Sequence, residues 1–84
     1  MTPTIGRIVI YNTTQADRDR MSTSYQLGAI QNTVNQLPAV ITNVFSESCV
    51  NVKVFVDGHG NDLWKTSIML GPNEGSWSWP VISK

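Results

Sequence analysis

The chain has 84 residues, 40% apolar and 14% charged, with six basic and six acidic side chains and a formal net charge of zero. That length gives one domain, residues 1–84, with a core only just large enough to fold, and the composition is that of an ordered chain. Balanced charge excludes the concentrated positive surface that non-specific nucleic-acid binding requires, and it leaves copies of the chain with little mutual repulsion. One cysteine, Cys49, excludes an intramolecular disulfide or a cysteine-rich metal framework.

Ile5 to Tyr11 predicts a first strand, since Ile8, Val9, Ile10 and Tyr11 are all β-branched or aromatic. Gly6 is expected to allow a close backbone approach, and Arg7 to cover an apolar edge with its stem. Residues 12–36 form a polar excursion, with Arg18 and Arg20 neutralised by Asp17 and Asp19. Within it Leu27, Ile30, Val34 and Leu37 fall at helical spacing, which predicts a short helix of roughly ten residues, marginal alone and in need of packing. An extended excursion pinned by the same four side chains is the alternative.

Pro38 pushes the residue before it away from helical geometry and opens a second strand over Ala39 to Phe45. Val40, Thr42 and Val44 are expected on one face, and Ala39, Ile41, Asn43 and Phe45 on the other. The third strand is the clearest element. Val50, Val52, Val54 and Val56 share one face while Asn51, Lys53, Phe55 and Asp57 share the other, so a slip of one residue exposes every valine. Asp57-Gly58-His59-Gly60-Asn61-Asp62 reads as a hairpin turn, too short for a calcium loop.

Leu63 to Leu70 is the fourth strand, with Trp64, Thr66, Ile68 and Leu70 expected on one face and Leu63, Lys65, Ser67 and Met69 on the other. A Gly71–Gly75 turn leads to a fifth strand, Ser76 to Val81. There Trp77 and Trp79 face the same way, and Pro80 marks a sheet edge. Five strands with one excursion after the first predict a mainly β fold: a small antiparallel barrel, SH3-like, with an OB-like barrel as the runner-up.

No catalytic or metal site stands out. His59 is the sole histidine and lies in a turn; no paired-carboxylate or glycine-rich nucleotide motif is present, so the expectation is a non-enzyme with no cofactor. No leader pattern is visible at the amino terminus, and no segment approaches the roughly 18 apolar residues of a membrane span. Binding candidates are therefore surface groups. Trp77 and Trp79 can form a stacking wall, seal the barrel or enter a subunit interface. Arg7 can grip an anion or pair with Asp57 or Glu47. Phe55 interrupts a polar face, as a residue does that contacts a partner or is covered by the 12–36 excursion.

The segments Gly6-Arg7-Ile8-Val9-Ile10-Tyr11, Leu37-Pro38-Ala39-Val40-Ile41, Val50-Asn51-Val52-Lys53-Val54-Phe55-Val56-Asp57-Gly58, Thr66-Ser67-Ile68 and Gly75-Ser76-Trp77-Ser78-Trp79-Pro80 occur in that order. In them the chain resembles a family of small, largely unannotated bacteriophage β-rich proteins. The resemblance covers residues 5–11 and 37–80, leaving 12–36 particular to this chain. Ser78 stands where many relatives carry histidine, so a histidine-dependent site does not transfer. The resemblance implies a phage origin. Two functions then follow as expectations. One is a virion accessory protein, attached to capsid, neck or tail, whose partners are other copies of itself and other phage structural proteins. Leu27, Ile30, Val34, Phe55, Trp77 and Trp79 are then its interface candidates. The other is a host-directed oligomeric protein of the host cytoplasm that sequesters a nucleotide immune signal, with Arg7, Thr66, Ser67 and Trp79 as its contacts.

Overall fold

The computed structural model describes residues 2–24, 35–56 and 62–80. In chain order these form β1 (Ile8–Asn12), α1 (Gln15–Ser24), β2 (Gln36–Val44), β3 (Cys49–Val54), β4 (Leu63–Met69) and β5 (Trp77–Ser78). The five strands make one antiparallel sheet in the order β4-β3-β2-β1-β5, curled into a half-barrel. An isolated parallel bridge between Leu70 and Trp77 draws the end of β4 towards β5. This order is consistent with the SH3-like barrel expected from the sequence.

Alternation on β3 decides the core. Val50, Val52 and Val54 are fully buried and Val56 nearly so, as their period of two requires. Opposite them lie the buried pairs Ala39↔Val54 and Ile41↔Val52, then Val9↔Ala39 and Tyr11↔Leu37 on the next strands. Leu63, Ile68 and Trp77 complete the inner face.

The strict alternation expected for β2 and β4 fails, for one physical reason. The β2–β3 register shifts between Ile41 and Asn43, and the β3–β4 register shifts between Val50 and Val52. Each shift places two residues opposite one: Thr42 and Asn43 on one side of Asn51, Thr66 and Ser67 on the other. A bulge turns the residues beyond it over. Val44 therefore packs on the core instead of facing outward with Val40, and Phe45 is exposed. On β4, Ile68 joins Leu63 inside while Trp64 stands in solvent. Ser67 takes the left-handed conformation, φ 53°, and its amide donates to Asn51 Oδ1 at 2.8 Å. The two bulges flank one residue of the central strand, and there the sheet bends.

Two boundaries also move. The first strand begins at Ile8, because Ile5 and Gly6 form a turn that needs Gly6 at φ 92°; no atom lies within 4 Å of a Cβ built there, so conformation and not crowding selects glycine. The second strand begins at Gln36, two residues before Pro38. Pro38 is tolerated because its nitrogen faces the end of β3: its carbonyl accepts from Phe55 N at 2.9 Å, beyond the last ladder residue Val54.

The described part of the excursion holds a short helix, α1, ahead of the helical spacing at 27–37. Leu37 lies in β2 and is buried against Tyr11, so it is not the end of a helical stripe. Leu27, Ile30 and Val34 lie outside the described residues, as do Asp57 and His59. The helix that forms, α1, has no apolar stripe and is fixed by its start. Thr14 Oγ1 accepts from Asp17 N at 3.1 Å while Asp17 Oδ2 accepts from Thr14 N at 3.1 Å, a reciprocal cap on two otherwise unpaired amides.

Candidate interaction surface

Three arrangements on this frame bear on function: a buried ionic clamp, a closing seam and an exposed apolar face. The clamp centres on Asp17, buried between helix and sheet. Its Oδ1 accepts from Lys65 Nζ at 2.5 Å and its Oδ2 from the Tyr11 hydroxyl at 2.5 Å. Lys65 Nζ also lies 5.8 Å from the centre of the Tyr11 ring. Burial opposes ionisation of Asp17, but hydrogen bonds from Lys65, Tyr11 and Thr14 N, with the lysine charge, outweigh it and hold the carboxyl below its usual range. The same burial, together with the hydrogen bond and charge of Asp17, pushes the Tyr11 phenol above its usual range. A low-pKa carboxylate with both oxygens occupied suits anchoring better than proton transfer.

The seam joins the end of β1 to the β4–β5 turn. Asn12 Nδ2 donates to Gly71 O at 3.2 Å and Ser76 Oγ at 3.1 Å, and Asn12 Oδ1 accepts from Gln36 Nε2 at 3.1 Å. Ser76 Oγ also meets the carbonyls of Gly71 and Asn73. Arg18, read from the sequence as part of a neutral run, binds Thr13 O at 2.9 Å and Thr13 Oγ1 at 3.0 Å, and reaches Glu74 Oε2 at 2.9 Å. An open cleft of about 600 Å³ lies beside it, lined by Asn12, Thr13, Arg18, Asn35, Gln36 and Glu74 among others. Its guanidinium is thus engaged by the protein itself, and a carboxylate shares the cleft.

The predicted aromatic site divides. Trp77 is fully buried, packs edge-on against Trp79 with centroids 5.0 Å apart, and donates Nε1–H to Ser48 O at 2.9 Å. The expectation that Trp77 meets a ligand or partner is therefore corrected: no part of it is accessible. Trp79 is half-buried, and the Arg7 guanidinium stacks 5.3 Å from its ring centre. Thr66 and Ser67 are exposed on the β4 bulge, their hydroxyls 3.4 Å apart. No hydrogen bond or ring contact among the described residues joins that hydroxyl pair to Arg7 and Trp79.

The exposed apolar face is the back of the sheet. Cross-strand register sets Ile8 beside Val40, Val40 beside Lys53, and Lys53 beside Trp64, one row over four strands. The neighbouring row holds Ile10, Pro38 and Phe55, two residues along each strand. Trp64 is 61% exposed, Ile8 48% and Phe55 41%. Lys53 stands inside the first row, between Val40 and Trp64, and Asp62 stands at the border; among the described residues these rows carry no other charge. Phe55, exposed in the fold, is legible in the sequence as an aromatic residue on the polar side of the third strand. Trp64, Ile8 and Val40 are missed there, because without the bulge simple alternation puts Trp64 on a face with Ile68.

Among the described residues no group of three or more potential ligands could hold a metal ion, and no helix is long and apolar enough to cross a membrane. No family model, curated protein or solved structure matches the chain.

Proposed function

We propose that the protein works by binding and not by catalysis, as a small accessory component of a bacteriophage particle that docks through the back of its sheet. The observation that carries this reading is a largely apolar face, with Ile8, Pro38, Phe55 and Trp64 exposed, Ile10 and Val40 half-buried and Lys53 among them, on a fold that protects its strand edges. The main apolar patch of a small protein, typically a few hundred Å², is often where it meets a partner. The phage setting rests on the ordered motifs in which the chain resembles small phage proteins, and placement in the virion is part of the same proposal.

Both edges argue that contact is made by face. β5 is two residues long and Pro80 follows it closely, while β4 carries a bulge and turns Lys65 inward. Short strands, proline, bulges and inward charges are the devices that discourage strand addition. The alternative, sequestration of a nucleotide immune signal, is less well supported. It requires an apolar pocket with convergent donors, whereas the described cleft is polar, holds Glu74 and has its arginine engaged.

Mass spectrometry of purified virions, with copy number, tests the reading. The expected result is a fixed stoichiometry for the wild type and loss of incorporation for Trp64→Asp, a folded variant with an altered face. Absence of the wild-type protein from particles overturns it.

A further inference from the structure

We infer that the partner at the back of the sheet is a second copy of this chain, the two faces meeting across a two-fold axis that places Lys53 of each copy on the partner's Asp62. This rests on the proposal that the face is a docking surface and names its occupant. The argument starts from register. Lys53 pairs with Trp64, and continuing that pairing by one step each way past Val54↔Leu63 sets Phe55 beside Asp62. Lys53, Trp64, Phe55 and Asp62 are all exposed. They occupy the corners of a rectangle roughly 5 Å wide across the strands and roughly 7 Å long, the spacing of neighbouring strands and of alternate residues.

The charges sit on one diagonal and the aromatic rings on the other. A two-fold axis lying in the interface along the aromatic diagonal returns each ring near its own copy. The rectangle is not square, so the same rotation brings Lys53 to within roughly 3 Å of the position of Asp62, a gap the long lysine stem spans. Isologous contact requires such self-complementarity, and the resulting strand crossing of roughly 70° lies nearer the orthogonal than the aligned class of sheet packing. Neither charged group has an ion pair among the described residues; Asp62 Oδ1 accepts only from Val56 N, at 3.2 Å.

The area agrees. Trp64, Ile8 and Phe55, 61%, 48% and 41% exposed, together present roughly 300 Å² at roughly 150–250 Å² per side chain, and Pro38, Val40, Ile10 and the Lys53 stem bring the face to at most roughly 500 Å². Two such faces bury at most about 1,000 Å², the lower limit for a specific interface, which predicts a weak, concentration-dependent dimer. A formal net charge of zero leaves no long-range repulsion to oppose it.

Sedimentation velocity on the full chain over a range of concentrations tests the inference. The wild type is expected to pass from monomer to dimer. Lys53→Glu and Asp62→Lys are each expected to weaken association by about tenfold, and the double exchange to restore it to within about threefold. Asp62→Asn and Lys53→Met keep the turn acceptor and the stem while removing one charge, and should weaken it by about threefold even if a reversal unfolds the chain. A wild type that stays monomeric overturns the inference, as does a charge exchange that fails to rescue two folded, weakened single variants. If the wild type is monomeric yet Trp64→Asp still abolishes incorporation into particles, only the identity of the partner falls. If it dimerises as stated but is absent from particles, the placement in the virion falls and the dimer stands.

Discussion

Replacing Asp17 by asparagine probes the attachment of the helix to the sheet. Three donors converge on the two carboxylate oxygens: Lys65 Nζ on one, the Tyr11 hydroxyl and Thr14 N on the other. Asparagine keeps the shape but offers one acceptor oxygen, and its amide turns a second donor towards whichever group loses its partner. A buried donor left unmatched costs about 1–3 kcal/mol, and hydrogen bonds to a charged group lie in the upper part of the range. Lys65 is partly open to water, its side chain 28% exposed, which limits the penalty on that side. A loss of about 2 kcal/mol at pH 7 is expected. For a chain of this size, with a urea dependence of about 1 kcal/mol per molar, that lowers the unfolding midpoint by about 2 M.

The pH dependence carries the sharper test. The folded carboxyl titrates below its unfolded value, so its stabilisation is complete above about pH 4 and is lost as the pH falls through the folded value. The wild-type and Asp17→Asn unfolding midpoints should therefore converge in acid. Urea unfolding followed by tryptophan fluorescence between about pH 2 and 7 measures the difference. A gap of equal size across that range would refute an ionic clamp and leave only a packing effect.

Other outcomes follow from the same structure. Tyr11→Phe should remove the alkaline limb of the stability profile: a phenol held above its usual range favours folding below about pH 10 and loses that contribution as the pH rises further. Val52→Ala, at a fully buried position, should cost about 1–3 kcal/mol in denaturant unfolding without altering the sheet's circular dichroism. Gly75→Ala should destabilise by about 1 kcal/mol or more in thermal melts, because Gly75 sits at φ 83° and an added Cβ meets Thr14 Cγ2 at 3.4 Å.

Periodicity makes the sheet readable, and local hydrogen bonding decides what periodicity cannot. The valines of β3 fix one face unambiguously, because a shifted register buries Lys53. Apolar recurrence points to a helix further along the chain, yet α1 presents no such stripe and is specified by Thr14-Gln15-Ala16-Asp17, a capping signal visible in the sequence but outweighed by the hydrophobic pattern. The bulges beside Asn51 leave little trace in composition, and each one inverts the residues beyond it. Hence alternation groups Trp64 with Ile68, and most of the apolar face goes unseen. Trp77 and Trp79 are correctly placed on one side, but alternation alone does not say that Trp77 lies beneath the surface. Arg18 and Glu74 are far apart in sequence, and no local pattern links them.

The seam between β1 and β5 also orders the events of folding. β2, β3 and β4 follow one another through short connections, so their contacts form among near neighbours in the chain. Asn12 and Ser76, by contrast, are 64 residues apart, and the pairing Tyr11↔Trp77 cannot form until both ends of the chain have been brought together. The meander is thus the natural nucleus, with the carboxy-terminal strand docking afterwards. Truncations within β3 should then slow refolding, whereas weakening the Trp77 contact should chiefly hasten unfolding, so that the lifetime of the native state is set by its last two-residue strand.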